Sequence, residues 1–351
     1  MNSSYVLGIK DLLSWLDSLG DEFNLFGPVL KKRGQVVFEK LEEVKDLYLD
    51  YHSTMVSPRK FIYPPEQDLF LINRDNYQFH TIMPPGERSS IILGMHPCDM
   101  HALTVLDRTF SRDFKDFYYH KLRERTLTIV LNCNKTCDNG FCSSMGTGPF
   151  LKIKKGYDIE LTALMENYLL EFGSERGENL VERAKNLKKA TRKDFKEKLS
   201  LEKKAGASFF KWIDIKDLPA LLMRNLDHSV YKETAEARCL GCANCTMVCP
   251  TCYCYNIEDY TSFDLKTTLR KRQWDSCQEL NFAKVHGGNF RSSREARLRQ
   301  FVTHKLSTWV EQYGCFGCVG CGRCITWCPT GIDLTEIAKE IQEDYQRGKV
   351  R

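Results

Sequence analysis

Residues 239–250 read CLGCANCTMVCP, and residues 318–329 read CVGCGRCITWCP. Each string spaces its cysteines C-x-x-C-x-x-C-x-x-x-C and follows the fourth with proline, so one pattern occurs twice. This is the ligand run of bacterial ferredoxins that hold two [4Fe–4S] clusters, in which the fourth cysteine of each run crosses to the other cluster. The reading assigns Cys239, Cys242, Cys245 and Cys328 to one cluster, and Cys249, Cys318, Cys321 and Cys324 to a second. Three thiolates must surround one side of a compact cube, so the backbone curls tightly, and Gly241, Gly320 and Gly322 let it approach closely. Main-chain N–H groups turned inward donate to sulfur and help set the reduction potential. Proline after the fourth cysteine fixes φ and redirects the chain. Zinc sites also use C-x-x-C pairs, but a third and fourth cysteine at this spacing and then proline, twice over, favour iron and sulfide.

The rest of the chain bounds the setting. Its 351 residues suffice for two or three domains. Hydrophobic residues at 42% and charged ones at 28% describe a folded chain rather than a disordered one. The net charge of +5 rests on 51 basic and 46 acidic residues, a balance that points to neither nucleic acid nor membrane but suits docking of an acidic redox partner. The opening MNSSYVLGIKDLLSWLD shows no secretory signal. The longest apolar stretch of the front half, 91–106, is interrupted by His96, Cys98, Asp99 and His101, whereas a membrane span needs about 20 mostly apolar residues. A cytoplasmic location is therefore expected, with no membrane span. In that reducing compartment the 16 cysteines are ligands or redox groups rather than disulfides. None lies between Cys142 and Cys239; the crowding on either side is what metal clusters demand.

The expected fold class is α+β: an N-terminal mixed α/β domain (1–172), a charged helical connector (173–232) and a C-terminal α-helical ferredoxin-like domain (233–351) holding two clusters. Leu12, Leu13, Trp15, Leu16 and Leu19 have helical spacing and stop at Gly20. Short apolar runs follow at 35–38, 69–72, 90–94 and 126–132, the last two reading as buried strands. Between these two, a helix over 99–106 is expected with Asp99 near its cap, which suggests a parallel strand pair. The Pro-Pro steps at 64–65 and 84–85 mark loops. The run RAKNLKKATRKDFKEKLSLEKK reads as a solvated helical pair. A short apolar helix is expected at 219–226, and a closing helix with Leu334, Ile337, Ile341 and Tyr345 on one face at 333–349.

Eight cysteines remain. Cys98 ends one buried strand, and Cys133, Cys137 and Cys142 follow the other, so parallel pairing brings all four together. They form a possible third [4Fe–4S] site, with zinc or buried free thiols as the alternatives. Cys252, Cys254 and Cys277 form a possible additional site. It is part of another cluster completed by Cys315 or a non-cysteine ligand, a redox-active thiol site, or simple packing beside the first motif. Cys315 also offers a shifted ligand frame, but only the Cys318 frame keeps the full run. His96 and His101 flank Cys98 and read first as structural histidines, and His286 is similar.

Several longer strings resemble a known family: GMHPCDMHAL (94–103), FCSSMGTGP (141–149), ARCLGCANCTMVCPTCYCY (237–255), RKRQWDSC (270–277) and NFRSSREARLR (289–299). With CVGCGRCITWCP they make the chain similar to the anaerobic sulfite reductase A subunit and the beta subunit of cytoplasmic sulfhydrogenase, a nickel–iron hydrogenase that also reduces sulfur. The wide spacing of the two motifs also resembles the α-helical ferredoxin domains of heterodisulfide reductase and succinate dehydrogenase iron–sulfur subunits. The family resemblance implies an electron-transfer subunit between a flavin- and NAD(P)-binding subunit and a catalytic redox subunit of sulfite reductase, hydrogenase or heterodisulfide reductase type. Two positions depart from the family pattern. Gly140 stands where relatives carry a cysteine, leaving Cys137 as the substitute, and Gly288 stands where they carry a histidine. No G-x-G-x-x-G loop, P-loop or catalytic triad pattern is present. The leading expectation is thus a relay without a substrate site. The competing ones are a polysulfide or disulfide reductase built on Cys252, Cys254 and Cys277, and an interaction protein braced by its metals.

Overall fold

Two runs with hardly a polar residue, SIILGM and TLTIVL, form adjacent parallel strands at the centre of the largest sheet. Burial from both faces is what a continuous apolar run, as opposed to an alternating one, is suited to. The computed structural model describes residues 4–84, 86 and 88–350, so the second residue of the loop expected at 84–85, Pro85, lies outside the described residues. The strands are β1 (Tyr5–Gly8), β2 (Asn24–Leu30), β3 (Val36–Lys40), β4 (Glu66–Asn73), β5 (Phe79–Thr81), β6 (Ser90–Met95), β7 (Thr126–Leu131), β8 (Ile159–Ala163), β9 (Asn167–Phe172), β10 (Lys188–Lys189), β11 (Tyr255–Thr261) and β12 (Thr267–Trp274). A small hairpin at 284–289 follows them.

Eight strands build one sheet in the order β10-β1-β9-β8-β7-β6-β2-β3. Its middle, β2, β6, β7 and β8, is parallel. Alternate residues of β6 and β7 face opposite sides. Ile91, Leu93, Leu127 and Ile129 meet Leu12, Trp15, Leu16 and Leu19 of the helix Ile9–Leu19. Ile92 and Val130 instead meet Met100, Leu103 and Leu106 of the helix Pro97–Thr109 and Tyr119 of Phe117–Glu124. The parallel pair therefore ends, at its carboxyl edge, beside Cys98 and Cys133.

Three local expectations need correction. The helix Pro97–Thr109 starts two residues earlier than expected, with His96 in the N-cap position but making no side-chain bond there; Asp99 lies in the first turn, its carboxylate turned inward to an ion pair. The charged run gives one helix, Arg192–Gly206, rather than two. Lys188–Lys189 before it joins the large sheet as β10 beside β1. The segment between the motifs, expected to be largely helical, begins with the hairpin β11–β12, and β12 pairs with β4 in a four-stranded sheet, β11-β12-β4-β5.

Near the motifs, the helices Leu218–Arg224, Ser229–Ala237, Arg294–Thr303 and Leu334–Gln346 share a core of Leu222, Tyr231, Leu298, Phe301, Val302, Ile337 and Ile341. Phe141 and Met145, from the loop beyond β7, enter the same core. Full burial of a side chain such as Phe141 is worth roughly 1.5–3 kcal/mol, so this loop is fastened to the C-terminal part. The helix Arg294–Thr303 continues through a π-helical turn, His304–Thr308, into Trp309–Tyr313. Among the described residues, no helix is long and apolar enough to cross a membrane.

Candidate metal centres

The two motifs fold alike. Gly241 and Gly320 take left-handed conformations at φ 65° and 61°, and Ala243 and Gly322 follow at 62° and 74°. A one-turn helix comes next in each, Asn244–Met247 and Arg323–Thr326. A left-handed alanine costs roughly 1–2 kcal/mol, so the surrounding structure enforces the curl at Ala243. The Asn244 side-chain amide donates to the Trp327 carbonyl and ties one motif to the other.

Cys239, Cys242, Cys245 and Cys328 line one cavity of about 40 Å³, walled by Leu298, Phe301, Val302 and Ile337, with Cys324 also on its edge. Burial raises the Cys245 thiol, and charge on Cys239, Cys328 and Cys242 raises it further. Cys318, Cys321 and Cys324 are likewise raised by burial, Cys318 to about 12, and each feels charge from Cys249. Cys328 thus shares a cavity with the first three cysteines of the other string, and charge on Cys249 is felt by Cys318, Cys321 and Cys324 and also by Cys245. Apart from exposed Cys242, these thiols are largely withdrawn from solvent and lie close enough to feel one another's charge, a donor set that suits iron, which holds sulfur as thiolate.

Hydrogen bonds to sulfur repeat as well. The Thr251 and Thr330 hydroxyls lie 3.3 and 3.4 Å from Cys249 Sγ and Cys328 Sγ. The Gly320 and Ile332 amides each donate at 3.3 Å, to Cys318 Sγ and Cys328 Sγ. Lys305, fully buried, donates to Thr251 Oγ1 at 2.7 Å and is held charged by Cys249, Cys252 and Cys318 against the pull of its burial. The threonine two places after each fourth cysteine was a sequence signal that ligand spacing alone passes over.

Cys98, Cys133, Cys137 and Cys142 line another cavity of about 20 Å³ together with His96, Gly140 and Cys321. Burial raises all four thiols, Cys137 to about 11. A Cβ on Gly140 would stand 3.3 Å from Cys137 Cβ, so positions 137 and 140 address the same corner. The loop carrying Cys137 and Cys142 lies on the second motif. Phe141 N donates to Gly320 O at 2.7 Å, Thr147 Oγ1 to Val319 O at 2.6 Å, and Asn139 Nδ2 to Thr326 Oγ1 at 3.0 Å. Between this cavity and the second motif lies a buried ion pair, with Arg323 Nη2 donating to Asp99 Oδ2 at 2.9 Å. Arg323 also donates to Thr54 O at 2.8 Å, and Ser57 Oγ to Asp99 Oδ1 at 2.8 Å. Sequence reasoning missed Arg323, because nothing local marks its partner.

Cys252, Cys254 and Cys277 line a cavity of about 290 Å³ with Tyr253, Phe301, His304, Lys305, Arg291 and Trp309. A hydrogen bond from Cys277 brings the Cys254 thiol down to about 7, against the effect of burial. Cys252 donates to Cys249 and so lowers it. Cys315 does not line this cavity; it packs in the small cluster around Trp309 and Val319. His96 stacks on Tyr51 at 4.1 Å, His101 Nε2 is buried without a hydrogen-bond partner, and His286 is exposed in the small hairpin. Among the described residues, no three His, Cys, Asp or Glu side chains lie close enough together to share a single metal ion; the cysteines ring cavities instead.

Comparison with known proteins identifies the kind of domain that carries the two strings. Residues 238–332 match the model of the 4Fe-4S dicluster domain. The chain is 32% identical to sulfhydrogenase 2 subunit beta of Pyrococcus furiosus over 323 residues, 91% of this chain and 92% of that one. It belongs to the sulfhydrogenase beta-subunit family. As a member, it is an iron–sulfur protein whose C-terminal part is a [4Fe–4S] dicluster domain within a mixed α/β molecule. No solved structure matches this sulfhydrogenase-family chain.

Proposed function

We propose that the chain is the iron–sulfur electron-transfer subunit of a cytoplasmic hetero-oligomeric oxidoreductase. It relays electrons between a flavin- and NAD(P)-binding subunit and a catalytic module of sulfite or sulfur reductase, hydrogenase or heterodisulfide-reductase type. One observation carries the reading: the cysteine-lined cavities share walls. Cys324 edges the cavity of the Cys239 set, and Cys321 edges that of the Cys98 set. In this reading Cys239, Cys242, Cys245 and Cys328 hold one cluster, Cys249, Cys318, Cys321 and Cys324 the next, and Cys98, Cys133, Cys137 and Cys142 a third. The last lies in an N-terminal domain (1–172), joined by a connector (173–232) to the dicluster domain (233–351).

Bound [4Fe–4S] clusters supply one-electron carriers whose potentials follow net charge, hydrogen bonds to sulfur and solvent exposure. The chain's residues act on each of these. Gly320, Ile332, Thr251 and Thr330 address thiolate sulfur. Arg323 and Lys305 put buried positive charge beside the Cys321 and Cys249 thiolates. Exposed Cys242 and Leu240 bring the row of sites to the surface, where a partner can dock. Anaerobic reconstitution with iron and sulfide should load at least about eight irons per chain, with brown absorbance and an EPR signal on reduction. Colourless, zinc-loaded protein would refute the relay. The subunits that co-purify anaerobically identify the catalytic module.

A second reading, a polysulfide or disulfide reductase at Cys252, Cys254 and Cys277, is favoured by the Cys254 thiol being held near 7 beside an open cavity. Serine at Cys254 and Cys277 with turnover of the complex unchanged would remove it.

A further inference from the structure

The cavity lined by Cys252, Cys254 and Cys277 differs from the two smaller cysteine-lined cavities. At about 290 Å³ it is much roomier than those of about 40 and 20 Å³, and its three thiols lack a fourth. A histidine, His304, lies among its other lining residues. It opens the π-helical turn His304–Thr308, and single π turns inside helices concentrate at functional sites. The extra residue of such a turn shifts the side chains that follow, and here His304 and Lys305 both reach the cavity.

The His304 ring is fixed as a ligand ring would be. Its Nδ1 lies 3.2 Å from Thr308 Oγ1, and it packs on Trp309 with centroids 4.7 Å apart. A metal-ligating histidine commonly gives one ring nitrogen to such an outer partner, which fixes the tautomer and leaves the other nitrogen's lone pair for the metal. The cavity also adjoins both ferredoxin-type sites. Cys252 hydrogen-bonds Cys249, and Cys277 feels the charge of Cys245.

We propose that Cys252, Cys254, Cys277 and His304 together form a further [4Fe–4S] site, three thiolates and one imidazole, branching from the junction of the two ferredoxin-type sites. This goes beyond the relay reading, which needs no such branch. A neutral imidazole in place of a thiolate removes one negative charge from the site, and exchanging thiolate for histidine raises cluster potentials. The branch is therefore an electron-accepting stop at the wall of a cavity that Lys305 and Arg291 make positive.

The test uses full-length protein, reconstituted anaerobically and labelled with nitrogen-15 histidine. Pulsed EPR of the reduced protein should show a strongly coupled imidazole nitrogen that His304→Cys removes while the iron count stays the same. The double variant Cys254→Ser/Cys277→Ser should lose about four irons and keep the EPR signals of the ferredoxin-type clusters, which also shows that it folds. An unchanged iron count in the double variant, loss of one zinc instead of iron, or a nitrogen coupling that survives His304→Cys would each overturn the proposal. Wild-type protein without any iron would instead defeat the relay reading, so the two failures are distinguishable.

Discussion

Arg323 and Asp99 meet in the interior, with Nη1 lying 2.9 Å from Oδ1 and the side chains 1% and 0% exposed. One belongs to the second cysteine string and the other to the helix that begins beside Cys98. The pair thus joins the sheet domain to the dicluster domain at the point where two cysteine sites adjoin. Asp99→Leu strands a guanidinium in a dry interior and should cost about 3–5 kcal/mol. Replacing both partners, Asp99→Leu with Arg323→Met, should recover much of that loss. Urea denaturation of the three proteins measures the difference, and a double variant no better than the single one counts against a charge penalty.

The proposed crossing of the fourth cysteines predicts a reciprocal signature. Cys249→Ser should remove the same EPR signal as Cys318→Ser, and Cys328→Ser the same signal as Cys239→Ser, each with loss of about four irons. An uncrossed arrangement predicts the opposite matching, with Cys249→Ser resembling Cys239→Ser.

Gly320 is where the backbone of Cys142 itself presses on the second string. A Cβ there would lie 2.7 Å from Cys142 Cα and N, and the residue has φ 61°. Gly320→Ala should cost at least about 1–2 kcal/mol from the backbone conformation alone and push the loop away. Iron bound by the Cys98 set should fall while the signal of the Cys239 set persists. Limited proteolysis within 137–149 should accelerate.

His101 makes the fold acid-sensitive. Burial lowers its pKa from 6.5 to about 4. A histidine depressed in the folded state contributes stability that is present above its unfolded value and is lost as pH falls toward the folded one. At pH 5 the loss is roughly 2 kcal/mol. Urea midpoints at pH 7 and pH 5 should differ less in His101→Gln than in the wild type. An equal pH dependence in both would rule out this histidine as the cause.

Local signals were legible and distant ones were not. The paired cysteine strings reveal the dicluster domain because ligand spacing is a property of a dozen consecutive residues. The strands at 90–95 and 126–131 show as apolar runs, and their parallel pairing brings Cys98 and Cys133 to one edge. The union of β12 with β4 links residues some two hundred positions apart, and no periodicity within either strand names its partner. Lys188–Lys189 hides as a strand because an edge position tolerates charge. Asp99 looked like a helix cap because sequence shows the helix start but not the guanidinium that arrives from position 323. His304 was overlooked because its place depends on a π turn, which leaves no spacing signature of its own.

The seating of the 137–149 loop on Gly320 and Cys321 has a consequence for biogenesis. A ribosome emits the sheet and its four cysteines long before the segment that walls in their pocket. Closure of that pocket must therefore wait until the second cysteine string has been made, and a chain stalled before it leaves the four thiols open to stray metals and oxidants.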